Sequence, residues 1–358
     1  MKFQRNILVF FAAIALLSLF FIPPVSPQAK KIVIDQKIGR PYWQSSQPYD
    51  PLNPLSNVPL KNIKGNLTAL GYDVVIARGG INSSVLADAS ALILNKIKTQ
   101  AGNYTQTEID AIVSWMKTGN KFLWVAMDSD YLDAYLTDTG SDFRIDQGNK
   151  ILAAIGSHMR AELASVESPT WNIGAAAYRV LSNVTNSADP DVAKITAGIT
   201  KPIYFPGPTV IIFVNDQGTY VSYDQLPKPG LFSSTPAVFW VFKTAPDARI
   251  VDGSPKFPPL LYTNGQVGSY VLMAGEKYIF GSSKVVVAGE SPIGDVGYSI
   301  WTDLYRGTAL DGPKLLYNTI AWGLTPESAP IPTGYYIVGA VVVIIAAVAV
   351  YFFFIKKK

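Results

Sequence analysis

The chain of 358 residues predicts an α/β fold: a mostly parallel sheet in three layers, a β-rich insertion and one C-terminal transmembrane helix. Three observations carry that expectation. Short, continuously apolar runs alternate with helical periods from Lys31 to Ala126. Dense turn signals replace the alternation between residues 161 and 280. The chain then closes on Tyr335 to Ile355, a run without a formal charge, followed at once by Lys356, Lys357 and Lys358.

Taken in order, Lys31 to Asp35 reads as a buried strand that ends in an acid. Leu60, Ile63, Leu67 and Leu70 make a helical stripe stopped by Gly71. Asp73 to Ala77 and Ala91 to Leu94 are the next strands. A helix opens at Thr107 and carries Ile109, Ile112, Val113 and Met116 on one face, with Gly119 as its stop. Phe122 to Ala126 is the fourth strand. Apolar strands separated by helices of this length indicate βαβ units, hence a parallel sheet covered on both faces.

After Ile155 the pattern changes. Val210 to Val214, Ala237 to Phe242 and Tyr270 to Ala274 are the clearest strands of the insertion. Turns are marked at Asp189-Pro190, Pro206-Gly207-Pro208, Pro229-Gly230 and Asn264-Gly265. Lys284 to Ala288 returns as a strand, and Asp311 to Trp322 as a closing helix. The expected division is therefore residues 30–160 as the first part of the α/β domain, 161–280 as insertion, and 281–325 as the closing strand and helix. Residues 326–334 form a proline-bearing spacer.

Both ends speak of membranes. A helix over residues 335–355 is about 31 Å long, enough to cross a hydrocarbon core, and lysines flanking such a run favour the cytoplasmic side. Residues 356–358 are then a cytoplasmic tail. Lys2 and Arg5 before the apolar stretch Ile7 to Ile22 give residues 1–29 the layout of a signal peptide or an uncleaved signal anchor. The expected location is a cell membrane, crossed once, with the ectodomain outside the cytoplasm.

The sequence pI of about 8.9 belongs mostly to those ends. Without Lys2, Arg5 and the three terminal lysines, 25 basic residues face 26 acids, so charge offers no case for nucleic acid. Cysteine is absent, which removes disulfides, thiolate metal sites and thiol nucleophiles together. Sequons at Asn66, Asn82, Asn103 and Asn183 are candidate glycan acceptors.

Three stretches resemble a known family. They are Lys31 to Ala77; Ser90 to Asp130, where an Ala-Leu-Ile-Leu-Asn strand precedes helix, glycine and the Phe-Leu-Trp-Val strand; and Lys284 to Ser291 followed by Lys314 to Leu324, with Asn318 in the last helix. In order and kind these elements resemble the class I glutamine amidotransferase-like fold, flavodoxin-like in layout, in its non-catalytic branch. The layout is also similar to the amidotransferase-like accessory subunit of oligosaccharyltransferase. Related domains occur in gliding-motility ABC-type transport proteins and in intraflagellar-transport proteins. Catalytic members of the family place a cysteine at the turn after the fourth strand, where this chain reads Met127-Asp128-Ser129-Asp130. The single histidine, His158, lies elsewhere, so a Cys-His-Glu mechanism cannot be assembled. The resemblance thus implies a pseudoenzyme, with no catalytic residues and no cofactor.

Candidate sites follow from strand ends, because ligands of open α/β sheets gather beyond the carboxyl edge. Asp35, Asp128, Asp130 and Glu290 end or follow strands there and are candidates for a ligand or metal. Asp133, Asp138, Asp142 and Asp146 extend the acidic stretch, without EF-hand spacing. Arg78-Gly79-Gly80 reads as a turn, too short for a nucleotide loop. His158 reads as a hydrogen-bonded rather than ligating residue. Trp43 and Trp301 are candidates for carbohydrate contact. Two functions emerge: a non-catalytic extracytoplasmic scaffold with integral membrane protein partners, or a cell-surface hydrolase or solute- or carbohydrate-binding protein working through the Asp128 loop.

Overall fold

The computed structural model describes residues 29–37, 59–97, 100–131, 142–226, 237–253, 257–294 and 299–327, together with Val341, Ile344 and Ile345. Strands β1 (Lys31–Asp35), β2 (Asp73–Ala77), β3 (Ala89–Leu94), β4 (Phe122–Ala126) and β15 (Ser283–Ala288) are joined in parallel. The sheet continues antiparallel through β14 (Val271–Ile279), β11 (Ala237–Lys243) and β7 (Val184–Thr185), giving the order β2-β1-β3-β4-β15-β14-β11-β7. The sheet is therefore mixed. The expectation of a mostly parallel sheet holds for one half only, because the strands of the turn-rich segment pair as antiparallel neighbours on the β15 side.

Helices cover both faces, as the continuously apolar strands require. On one face α1 (Pro59–Ala69) and α6 (Gly312–Leu324) pack Ile63, Leu67, Leu315 and Ile320 against Ile32, Ile34, Phe122 and Trp124. On the other, α2 (Ser83–Leu86), α3 (Gln106–Lys117) and α4 (Asp142–Ala154) pack Leu86, Ile112, Met116, Ile151 and Leu152 against Val33, Leu92, Leu123 and Val125. Helix α3 starts one residue before the expected Thr107, because its cap lies at Thr105. Thr105 and Glu108 form a reciprocal capping box, and Gly119 at φ +76° ends the element in the left-handed conformation.

A second, antiparallel sheet has the order β10-β9-β5-β12-β13, from β5 (Met159–Glu167), β9 (Thr209–Val214), β10 (Tyr220–Val221), β12 (Ala248–Val251) and β13 (Val267–Gly268). Two short pairs complete the described strands: β6 (Arg179–Ser182) with β8 (Ile203–Pro206), and β16 (Leu304–Tyr305) with β17 (Thr308–Ala309). Helix α5 (Pro190–Ile195), capped by Asp189, packs beside α6.

Among the described residues no helix is long and apolar enough to cross a membrane. The expected span at 335–355 lies outside them except for Val341, Ile344 and Ile345, which are helical and exposed. The expected signal segment and Trp43 also lie outside.

Candidate functional site

The parallel half of the sheet brings four strand ends to one edge. Strand β1 ends at Asp35, β3 is followed by Asn95 and Lys96, β4 by Asp128, and β15 by Gly289 and Glu290. The order reverses between β1 and β3, since β2 lies outward of β1 and the chain then crosses to the other side. Such a switch point is where open sheets form their crevice. Here the crevice is filled from within. Asp35 and Glu290 are fully buried, and Lys96, Asp128 and Arg144 are nearly so.

The filling is one polar network. Lys96 Nζ stands 2.6 Å from Glu290 Oε1 and 3.6 Å from Asp128 Oδ1, while Arg144 Nη1, from the first turn of α4, stands 3.5 Å from Asp128 Oδ2. The backbone N–H of Ser291 also donates to Glu290 Oε1, at 2.6 Å. Ser291 Oγ lies 3.0 Å from Asn95 Oδ1, and Asn95 Nδ2 donates to the carbonyl of Asp35. Tyr104 Oη donates to Asp35 Oδ2 at 2.8 Å. The sequence-expected residues Asp35, Asp128 and Glu290 therefore do share an edge.

Electrostatics make this a buried cation flanked by two carboxyls. Burial pushes the Glu290 carboxyl up to about 8; Lys96 pulls it down, and the Asp128 charge pushes it further up. Burial pulls Lys96 down, but the charges of Asp128 and Glu290 outweigh that, and its net direction is up. Glu290 Oε2 is buried without a hydrogen-bond partner. A carboxyl held near neutral leaves that atom uncharged, which is the cheapest way to bury it. Asp128 already faces two cations, so another cation there would meet repulsion. Among the described residues no group of three or more acids and histidines is arranged to hold a metal.

Asp130 plays a different part from Asp128. Its Oδ1 accepts from Ser165 Oγ at 2.5 Å and its Oδ2 from the backbone N–H of Gly253 at 2.6 Å. Ser165 is on β5 and Gly253 follows β12, so this carboxylate fastens the second sheet to the end of β4. Close by, a Cβ added to Gly289 would lie 2.1 Å from the Thr209 carbonyl oxygen. Backbone thus crosses backbone at Gly289, and the N–H of Thr209 donates to the Gly289 carbonyl at 3.0 Å. The second sheet caps the edge.

Other candidates fall elsewhere. Trp301 is 8% exposed, edge-on to Tyr317 with ring centroids 5.6 Å apart, and belongs to the core, so its faces are not a sugar platform. Asp133 and Asp138 lie outside the described residues, Asp142 opens α4, and Asp146 is half-buried. Arg78-Gly79-Gly80 is a turn packed on Glu108, whose Oε1 accepts from the N–H of Ile81 at 3.0 Å and would sit 2.5 Å from a Cβ at Gly80. A carboxylate already takes the backbone N–H that this turn offers. Asn66, Asn82 and Asn183 are exposed, whereas Asn103 is half-buried; Asn82 Oδ1 caps α2 through the N–H of Val85.

His158 Nδ1 lies 2.7 Å from Glu276 Oε1, and Ser157 Oγ donates to Glu276 Oε2 at 2.6 Å. The hydrogen bond to Glu276 raises the imidazole above its ordinary value despite partial burial. Lys96 and Arg144 escaped the sequence reading. The available signal was a lysine one residue beyond the Asn95 that ends the apolar strand.

No family model matches the chain, and no curated protein matches it. Among solved structures, the mmIFT52 N-terminal domain aligns over 83% of this chain and 98% of its own, with 12% identity and a TM-score of 0.51. A Thermoplasma acidophilum protein assigned as a GMP synthase subunit overlaps 83% of this chain and 95% of its own, at 13% identity and a TM-score of 0.34. At these identities the first likeness speaks for the fold alone.

Proposed function

We propose that this chain is a non-catalytic scaffold or recognition subunit of a membrane complex, held outside the cytoplasm by its C-terminal apolar run, of the kind that glycosyltransferase or ABC-type transporter assemblies use. One observation carries the reading: the edge where an amidotransferase-like sheet would hold its nucleophile is plugged by Lys96 between Glu290 and Asp128 and roofed by the second sheet. Buried polar groups that satisfy one another leave neither a free base nor an electrophile facing solvent. Ser129, in the turn where the family places its cysteine, is 3% exposed, and Gly207 of the β8–β9 turn packs over its hydroxyl. Fold without a working site leaves surface as the means of action.

The test has two arms. Protease added to intact cells should remove the body and leave a fragment containing the tail. Purification under mild detergent should return multispanning partners in constant ratio. A body spared by protease, or a chain that repeatedly purifies alone, overturns the proposal.

A further inference from the structure

Two arginines on a different face remain unused by that reading. Arg179 opens β6, and Arg306 sits at the tip of the β16–β17 hairpin. Both converge on one turn: Arg179 Nη1 and Arg306 Nη1 lie 3.5 and 3.7 Å from the point that a Cβ on Gly174 would occupy. Neither forms an ion pair with a carboxylate among the described residues. Tyrosine rings hold them instead. The Arg179 guanidinium lies 5.0 Å from the Tyr178 ring centroid and 5.9 Å from that of Tyr305; the Arg306 guanidinium lies 5.7 Å from Tyr305. Tyr305 in turn stacks on the buried Tyr204, with centroids 5.4 Å apart and planes 19° from parallel.

This arrangement keeps two like charges together and fixes their direction. Packing against tyrosine uses the face of a guanidinium rather than its edge donors, and the Arg306 side chain also hydrogen-bonds Tyr305. The hairpin adds a second, independent sign. Leu304 pairs with Ala309 and Tyr305 with Thr308, so Arg306 and Gly307 form a two-residue loop, both at positive φ, +47° and +80°. Such loops favour Asn, Asp or Gly at the first position, and an arginine there costs stability that the fold does not recover through an ion pair. Exposed Tyr178 lies alongside.

We propose that Arg179 and Arg306 form a binding site for a tetrahedral oxyanion, a phosphate or sulfate monoester group, at the surface between the Gly174 turn and the β16–β17 hairpin. A planar carboxylate satisfies one guanidinium fork. Two forks arriving from separate elements match the several terminal oxygens of a tetrahedral anion. The site goes beyond the scaffold reading and stands or falls apart from it.

Titration calorimetry on the purified full chain at about 0.15 M salt uses inorganic phosphate and glucose 6-phosphate as soluble probes. In a second arm, phosphatidylcholine vesicles with and without phosphatidic acid are the probe. The variants are Arg306→Asn, which suits the left-handed position while removing the guanidinium, and Arg179→Gln. Arg249→Gln, an exposed arginine paired with Glu167 elsewhere, is the control. Saturable binding of a soluble probe, weakened about tenfold or more by either site variant and unchanged in the control, supports a soluble phosphoryl ligand. The same pattern with phosphatidic acid vesicles alone supports a lipid phosphate. No saturable binding to any probe overturns the proposal. So does an Arg306→Asn protein that melts at or above the parent temperature and binds as tightly as the parent, or an equal loss in the control.

Discussion

Lys96 Nζ lies 2.6 Å from Glu290 Oε1, and both side chains are removed from solvent at the carboxyl edge of the sheet. Burial works against the charge of each: Lys96 is kept charged by Asp128 and Glu290 together, and the Glu290 carboxyl is pushed up to about 8. Removing one partner leaves an uncompensated charge or an orphaned carboxyl. Replacing both by apolar groups of similar size removes the problem.

A double-mutant cycle follows. Lys96→Met is expected to lose about 3–5 kcal/mol of unfolding free energy, and Lys96→Met with Glu290→Leu to recover most of it. Urea denaturation gives both numbers. A double variant no more stable than the single one would mean that the pair is not the unit described.

The raised Glu290 value makes a pH prediction. Between its ordinary 4.5 and about 8 the folded chain holds a proton that the unfolded chain has released. The folded state binds more protons, so this group's contribution falls as pH rises across that window and is flat above it. Glu290→Gln removes the slope. Melting temperatures of parent and variant, taken from pH 5 to 8.5, should therefore diverge in the variant's favour as pH rises, and parallel curves would refute the assignment.

Asp130→Asn separates a structural carboxylate from a ligand-binding one. Asp130 accepts one hydrogen bond from Ser165 and one from Gly253, and an amide can accept only on its oxygen. A loss of about 1–3 kcal/mol is expected. Residues kept for ligands usually cost stability, so an unchanged or raised melting temperature would return Asp130 to the candidate ligand groups.

Much of this edge was legible because strand ends are. Ile32, Val33 and Ile34 are continuously apolar and Asp35 interrupts them, so the strand, its burial and the acid's position come from one pattern; Glu290 and Asp128 follow the same logic. The antiparallel half was harder to read. Strand β14 runs on to Ile279, beyond the apolar stretch ending at Ala274, through the fully buried Glu276 and largely buried Lys277. Glu276 is satisfied by Ser157 and His158, and Lys277 by Asp191 at 2.6 Å and Glu327 at 3.0 Å. Partners that far away leave no local trace, and a Glu-Lys step reads as the end of a strand. The same blindness hid the distant partners of Lys96 and Arg144.

Gly289→Ala tests the roof. The new Cβ would lie 2.1 Å from a backbone oxygen of Thr209, a clash that no rotamer change relieves, so the second sheet must shift away from the β15 end. A loss of about 3 kcal/mol or more is expected. Gly65→Ala, in α1 with open space around its Cβ position, should instead gain roughly 0.5–1 kcal/mol from helix propensity. Thermal unfolding of the two variants side by side distinguishes a local clash from a general intolerance of alanine.

His158 supplies a second pH response with a different window. Glu276 lifts its imidazole above the ordinary 6.5, Asp216 adds to the lift, and partial burial opposes both. The protonated ring then stabilises the fold fully below 6.5, and the contribution disappears as pH rises through the raised value. His158→Gln should remove the part of the slope above pH 6.5 that the imidazole contributes, while leaving intact the Glu290 slope, which runs from 4.5 to about 8. The nearby Arg160 guanidinium, which donates to the Ser157 carbonyl at 2.7 Å, stays charged throughout and adds no step. Chemical-shift titration of the single histidine gives its value directly. A midpoint at or below 6.5 would show that the Glu276 contact does not hold the ring in its charged form, and that the junction between β5 and β14 is not tuned by pH.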